Sequence, residues 1–285
     1  MASEARTGPG EIVFACIAPH GDLAIPEACA PDRRALAAAT QAGMAELGRR
    51  FDVAAADVAV VLTPHGIHVE GQLAVVVAGS TAGALEEAPD VALAVPTDRG
   101  LALAMLEALH TAGVPAVAVS YGGNVPAESV MPLDWGTLIP LWYLGGRHAP
   151  PVPVVVVAPA RDLSTDDHVR AGVALGAAIA ASGRRVALVA SADQAHAHSA
   201  DGPYGFDPAA RLHDELVVSL LREGRSGGLR DLDPALVGAA KPDAWWQELM
   251  LLGAIGERWT PEVLSYEAPT YYGMLCAAFT PPRDA

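Results

Sequence analysis

Cysteine is scarce in this chain of 285 residues: only Cys16, Cys29 and Cys276 are present. The number is odd and no Cys-x-x-Cys occurs, so neither a disulfide framework nor a thiolate zinc site is indicated. Positive charge is also short. Eighteen lysines and arginines stand against 33 aspartates and glutamates, for a formal net charge of −15. Without a basic stripe to offset phosphates, nucleic acid and anionic membranes are excluded as expected partners. The longest apolar runs, such as 152–160, are too short to span a bilayer. Residues 1–10 carry no apolar stretch of the kind a signal peptide needs, so a cytoplasmic location is expected. Several chemical motifs are missing too: no Gly-x-Gly-x-x-Gly after a strand, no phosphate-binding P-loop, no Gly-x-Ser-x-Gly and no His-Glu-x-x-His.

What the chain does have is apolar content. Hydrophobic residues make up 52% and charged residues 18% of the sequence, enough for a large core and against disorder beyond the ends. Strand-like runs at 11–18, 57–63, 72–78, 115–120, 152–157 and 186–191 alternate with helical stretches at 32–50, 99–112, 165–181, 207–222, 231–238 and 243–256. A further short helix is led in by Asp134. Residues 79–96, rich in Gly, Pro and acids, read as irregular. Strands alternating with helices imply a layered α/β sandwich, with a central mostly parallel or mixed sheet flanked by helices. No long linker divides it. The expected organisation is a flexible tail over 1–10 and one domain over 11–281. Asp32 is the expected cap of the first helix, and Cys16, inside a strand, is a small core residue.

The stretch Val58-Ala-Val-Val-Leu-Thr-Pro-His65-Gly carries the first chemical signal. A buried strand stops at a proline that cannot continue a central ladder, and a histidine follows at once. The same grammar precedes His20, where an apolar run ends in Pro19-His20-Gly21. The carboxyl edge of an open α/β sheet is where ligands bind, and neutral imidazole is the commonest metal ligand. His20 and His65 are therefore read as two imidazoles brought to one sheet edge to hold a metal. His68 lies three residues on and is read either as supporting or competing with the metal ligands or as facing solvent or substrate. His196 and His198 follow the strand 186–191, and one of them is suited to acid–base work, with Asp193 as an orienting group. His110, His148, His168 and His213 share no context and read as surface residues. Asp22, Asp134, Asp193 and Glu267 are all loop carboxylates near the sheet edge, and spacing alone does not choose among them.

Assembled in order, Ala18-Pro-His20-Gly, Leu62-Thr-Pro-His65-Gly, Leu133-Asp-Trp-Gly-Thr-Leu-Ile-Pro-Leu, Ser191-Ala-Asp-Gln-Ala-His196, Gly202-Pro-Tyr-Gly-Phe-Asp207 and Tyr266-Glu267 resemble the class III (LigB-type) extradiol ring-cleavage dioxygenases. The resemblance implies a LigB-like catalytic domain with non-haem Fe(II) held by His20, His65 and Glu267, and His196 as acid–base residue. The reaction implied is insertion of O2 into a catechol-type or aminophenolic ring with ring cleavage, in aromatic catabolism. Partners implied are a small aromatic substrate and O2, with a homo-oligomer and room for a small accessory subunit. Family members often carry Asp-His-Gly where this chain has Asp134-Trp135-Gly136. Trp135 is then expected to wall the substrate site, with His68 also facing substrate. Two rival readings stay open: a Memo-like metal-binding or redox protein without ring cleavage, and a zinc hydrolase on the same triad, since His₂Glu also suits zinc.

Overall fold

The computed structural model of the protein describes residues 8–282. Residues 1–7 of the expected tail lie outside the described residues. Eleven strands are found among the described residues: β1 (Glu11–Ala18), β2 (Val58–Leu62), β3 (Leu73–Val76), β4 (Ser80–Leu85), β5 (Ala88–Pro96), β6 (Ala116–Val119), β7 (Val130–Pro132), β8 (Val154–Ala158), β9 (Arg185–Ser191), β10 (Thr260–Glu267) and β11 (Met274–Thr280). The helices are α1 (Ala38–Ala54), α2 (Arg99–Thr111), α3 (Trp135–Tyr143), α4 (Thr165–Ala181), α5 (Ala209–Arg222), α6 (Pro234–Ala240) and α7 (Trp245–Ile255).

Eight strands form the central sheet in the order β10-β11-β1-β9-β2-β8-β3-β6. Its middle is parallel: β1 and β2 flank β9, and β8 pairs with β2. β3 runs antiparallel to β8, and β11 antiparallel to β1, so the sheet is mixed. The parallel strands are apolar on both faces because both are covered. Ala15, Ile17, Val60, Leu62 and Val157 point to one side, with Leu101 and Met105 of α2, Leu175 of α4 and Leu249 of α7. Phe14, Cys16, Ala59, Val61 and Val156 point to the other, with Met44, Leu47 and Phe51 of α1 and Leu138 and Leu141 of α3. The period of two along each strand thus sorts one sheet into two cores.

The expected irregular segment 79–96 is instead a hairpin. β4 and β5 pair antiparallel, and β7 joins β4 to make a three-stranded sheet. Val91, Leu93 and Val95 of β5 face the α1–α3 core while the residues between them are exposed. This second sheet completes the covering of that face.

Helix starts are set by local chemistry where the sequence provides it. Asp98 accepts from the Leu101 backbone N–H at 3.0 Å, and Asp134 from that of Thr137 at 2.9 Å. Ser164 and Asp167 form a reciprocal capping box at α4. α1 differs. Asp32 is not its cap; the chain stays in turns until Ala38, and Ala37 precedes the helix without a side-chain cap bond of its own. The Glu267 carboxylate, from the end of β10, accepts the orphan N–H of Thr40 at 2.6 Å. A carboxylate here satisfies a first-turn donor and complements the positive end of the helix dipole.

Candidate metal centre

The carboxyl ends of β1, β2 and β9 lie side by side, because all three strands are parallel neighbours. His20 follows β1, His65 follows β2, and Ser191 closes β9. Their placement is tied down by backbone. The Ala192 N–H donates to the Ala18 carbonyl at 2.9 Å, and the His20 N–H to Asp193 Oδ1 at 3.1 Å. At the end of β2, the Thr63 hydroxyl donates to Asp134 Oδ1 at 3.0 Å, linking this strand end to the start of α3. Gly66 turns the chain away at φ 84°, a left-handed conformation, and a Cβ there would sit 2.8 Å from the Asp134 carboxylate. Gly136 lets α3 approach closely: a Cβ would stand 3.1 Å from the His65 ring.

Three donors converge. His20 Nε2 and His65 Nε2 are 3.1 Å apart, and each lies 3.2 Å from Asp243 Oδ2. Asp243 comes from the short connection between α6 and α7. It does not cap α7; its Oδ1 accepts the Asp193 N–H at 3.1 Å, while Oδ2 faces the imidazoles. His20 and Asp243 are buried, and His65 is partly open.

The tautomer of His20 follows from its neighbours. Ser191 Oγ donates its one proton to the Gly136 carbonyl in a short hydrogen bond. It must therefore accept from His20 Nδ1–H, 3.0 Å away. The neutral ring then presents an Nε2 lone pair to a carboxylate and a second imidazole. The Nε2 lone pair facing the Asp243 carboxylate in a buried place needs a cation between them, a proton or a metal. The electrostatics agree. Burial lowers the basicity of His20, but the Asp193 and Asp243 carboxylates outweigh it and raise its pKa to about 9. Burial alone would raise the Asp243 carboxyl; His20, His65 and His196 instead hold it well below the usual carboxylate range. Burial pushes Asp193 up to about 6, with His20 opposing.

Donors each about 2.1 Å from one ion stand roughly 3 to 3.4 Å apart, which matches the observed spacing. His20, His65 and Asp243 therefore fit a single divalent metal, with Ser191 fixing the orientation of His20 in the manner common to metal-bound histidines.

Glu267 does not join this trio. Its carboxylate is engaged at the start of α1, and it is not among the residues lining the cavity in front of the imidazoles. His68 is exposed and likewise outside that cavity. His196 is inside it. Its Nε2 lies 3.8 Å from Asp243 Oδ2, its ring stacks on Tyr272 at 5.8 Å, and Tyr204 meets it edge-on at 5.6 Å. Asp193 does not orient His196 by a hydrogen bond; it bonds to His20. His196 Nδ1 is buried without a hydrogen-bond partner among the described residues.

His198 points elsewhere. Its Nε2 lies 2.8 Å from Asp214 Oδ2, which also accepts from the Tyr266 hydroxyl at 2.7 Å. Asp214 Oδ1 accepts from the Ala195 N–H at 3.0 Å and faces His213 Nδ1 at 2.8 Å. This buried hub pins the loop that carries His196. Burial by itself would raise the Asp214 carboxyl, but the His198 and His213 bonds dominate and lower it to about 2. His213 and His168, expected at the surface, are buried; they serve α5 and the start of α4.

Asp243 is the residue that sequence reading missed. The signal available was weak: a carboxylate after a proline, beside Trp245 and Trp246, in a stretch with a single nearby countercharge. Trp135 is half exposed and packs its ring 4.3 Å from that of His65. It shares with His20, His65, His196 and Asp243 a cavity of about 890 Å³, walled also by Tyr204, Tyr271 and Tyr272.

Fold and site together define a layered α/β protein that gathers imidazoles and a carboxylate at the carboxyl edge of its sheet. The chain belongs to the family described as the catalytic LigB subunit of aromatic ring-opening dioxygenase, matched over residues 15–278. Enzymes of this family are of dioxygenase type and act on small aromatic substrates with O2. Protein CA_C1420 of Clostridium acetobutylicum is 24% identical over 259 residues, covering 87% of this chain and 53% of that protein. The chain thus spans about half the length of the curated relative it matches. A crystal structure of the uncharacterized protein JW3007 from Escherichia coli K12 shares the fold, with a TM-score of 0.59, 18% identity, and coverage of 93% of this chain and 98% of that one. Among the described residues, no helix is long and apolar enough to cross a membrane.

Proposed function

We propose that the chain, as one catalytic domain over 11–281, is an Fe(II)-dependent extradiol dioxygenase opening a catechol-type or aminophenolic ring. The observation that carries this reading is the approach of His20 Nε2, His65 Nε2 and Asp243 Oδ2 to within 3.2 Å of one another at the mouth of an aromatic-walled cavity. Two histidines and one carboxylate on one side of an ion make the arrangement typical of non-haem iron oxygenases. In this reading Asp243, in place of Glu267, supplies the carboxylate. Fe(II) on this trio would supply the Lewis acidity and the redox chemistry with O2 that ring opening requires.

The chain's own residues do the rest. Trp135, Tyr271 and Tyr272 offer flat apolar faces that hold the ring and exclude water. His196 accepts the remaining phenolic proton at Nε2 and returns it when the ring opens. Its location beside Asp243 without direct engagement at hydrogen-bonding distance suits a base that is not a ligand. The Tyr272 and Tyr204 rings hold its imidazole in place. An imidazole takes the proton as the free base and gives it back as the imidazolium, so one side chain serves both directions of transfer. The Asp214 hub fixes the loop so that His196 stays aimed.

The test is anaerobic loading of the apoprotein with Fe(II), then exposure to O2 with catechol, protocatechuate and aminophenol while the yellow ring-fission product is followed. Product that requires Fe(II) and disappears in His65→Ala supports the proposal. Hydrolase activity restored by Zn(II), with no ring-fission product under any condition, overturns it.

A further inference from the structure

The segment that delivers Asp243 has little local structure to hold it. Lys241 ends α6 in a left-handed conformation, at φ 57° and ψ 50°, and Pro242 has no N–H to donate. Ala244 precedes α7 without a side-chain cap bond. At the start of α7 the Glu248 N–H donates to the Ala244 carbonyl at 3.1 Å, which leaves the Asp243 carbonyl outside the helical ladder.

A side chain takes that carbonyl instead. Gln247, in the first turn of α7, is fully buried. Its Nε2 donates to the Asp243 carbonyl in a short hydrogen bond and to the Ser191 carbonyl at 3.0 Å. Both contacts are carbonyl oxygens, so the amide nitrogen, with its two protons, must face them. Gln247 Oε1 is left buried without a hydrogen-bond partner among the described residues. A leucine or methionine would fill the same space without burying an unpaired acceptor. The two donors are what glutamine adds at this position.

The owners of the two carbonyls give the amide its role. Asp243 brings Oδ2 to the metal trio, and Ser191 carries the hydroxyl that accepts from His20 Nδ1–H. One amide thus joins the main chain behind the carboxylate to the main chain behind the group that orients an imidazole. Asp193 holds Asp243 from the other side: its N–H donates to Asp243 Oδ1 at 3.1 Å, and its carbonyl accepts from the Asp243 N–H at 3.4 Å. Gln247 ties both segments to α7. The adjacent Glu248 grips the same loop at a different point, where its Oε1 accepts from Gln194 Nε2 at 2.8 Å.

Resting on the trio of His20, His65 and Asp243 in the proposed function, we infer that Gln247 is a positioning residue of the metal centre, whose amide sets Asp243 Oδ2 against the two imidazoles and Ser191 against His20. It acts through the two backbones and contributes no ligand of its own. A binding constellation must be held to within about 0.5 Å by side chains that are themselves locked by packing and hydrogen bonds. Gln247, fully buried and doubly bonded, meets that requirement.

The experiment measures Co(II) affinity by chelator competition, together with the absorption spectrum of bound Co(II) and the circular dichroism of the apoprotein, in wild type, Gln247→Met, Glu248→Gln and Asp243→Ala. Methionine keeps the length of glutamine and loses both donors. Gln247→Met should lower Co(II) affinity about 10–100-fold, the range for loss of an outer-shell partner, and alter the Co(II) spectrum while the apoprotein stays folded. Glu248→Gln, in the same buried turn, should keep wild-type affinity and spectrum. Should Gln247→Met not fold, Gln247→Asn is read in its place: it keeps an amide but is one methylene too short to reach both carbonyls. Wild-type affinity and spectrum in the folded Gln247 variant overturn the inference. So does an equal loss in Glu248→Gln, which assigns the effect to the packing of α7 as a whole. Asp243→Ala separates this failure from failure of the trio. Wild-type affinity in Asp243→Ala defeats the trio and the role of Gln247 with it. Weak binding in Asp243→Ala beside wild-type binding in the Gln247 variant defeats the role of Gln247 alone.

Discussion

Replacing Ser191 with alanine removes one hydroxyl that does two things: it accepts from His20 Nδ1–H at 3.0 Å and donates to the Gly136 carbonyl. Both the serine and His20 are buried, so water does not readily take the hydroxyl's place. The variant leaves a buried N–H without its acceptor, at a cost of about 1–3 kcal/mol. It also frees His20 to exchange tautomers, so that in part of the population Nε2 carries the proton and cannot ligate. Loss of an outer-shell partner of this kind typically costs about 10–100-fold in metal affinity. The assay is competition between apoprotein and a chelator of known affinity, with Fe(II) under anaerobic conditions and Co(II) as a spectroscopic substitute. Thermal unfolding of the apoprotein, read in parallel, should fall by a few degrees, given about 2–4 °C per kcal/mol for domains approaching this size. Ser191→Thr, which keeps the hydroxyl, should recover most of the affinity if the extra methyl is accommodated. Wild-type metal affinity in Ser191→Ala, with an unchanged spectrum of the Co(II) form, would refute the tautomer reasoning.

Three further outcomes are expected. His196→Phe should keep its metal and lose turnover by at least about 10²-fold, the lower range for general acid–base catalysis, whereas His198→Phe should mainly lose stability through the Asp214 hub; metal analysis, single-turnover rates and melting temperatures separate the two, and a dead His198→Phe beside an active His196→Phe would reverse the roles. Trp135→His should change the ranking of aromatic substrates by kcat/KM more than it changes stability, and an unchanged ranking would remove Trp135 from the substrate wall. Asp214 has a folded pKa lowered to about 2, below its unfolded value of about 3.9, so its stabilisation is fully present above the unfolded pKa and is lost as pH falls through the folded one; acid unfolding monitored by circular dichroism should show Asp214→Asn less sensitive to pH between about 4 and 2 than wild type.

What was legible in the sequence follows the reach of each signal. His20 and His65 could be placed because a buried strand, a proline and a histidine are consecutive, and parallel neighbours bring strand ends together. The start of α3 was announced by Asp134, whose cap bond to Thr137 is local, and the caps of α2 and α4 at Asp98 and Ser164 are local as well. The helix of α1 was legible but its start was misread at Asp32, because the carboxylate at its first turn arrives from Glu267, 227 residues from Thr40. The same contact shows what engages Glu267 in place of a metal: a helix N-terminus. Asp243 was hidden for the converse reason. It stands 223 residues from His20, in a short inter-helix connection with no periodic pattern. The hairpin β4–β5 was obscured by alanine: in Val91-Ala-Leu-Ala-Val95 the exposed positions are not polar, so the alternation that marks a half-buried strand is muted. His168 and His213 were misplaced because a buried histidine bonded to backbone or to a neighbouring aspartate leaves no trace in spacing.

Asp243 rather than Glu267 as the third ligand is the claim on which the site rests, and one titration tests it most directly. Apoprotein, Asp243→Ala and Glu267→Ala are each titrated anaerobically with Fe(II) against a competing chelator. The expected result is one equivalent bound per chain in the wild type and in Glu267→Ala, which loses stability at the start of α1 but keeps its affinity, and a loss of about 100-fold or more in Asp243→Ala, beyond what removal of an outer-shell partner would cause. Full iron binding by Asp243→Ala together with its loss in Glu267→Ala would contradict the account.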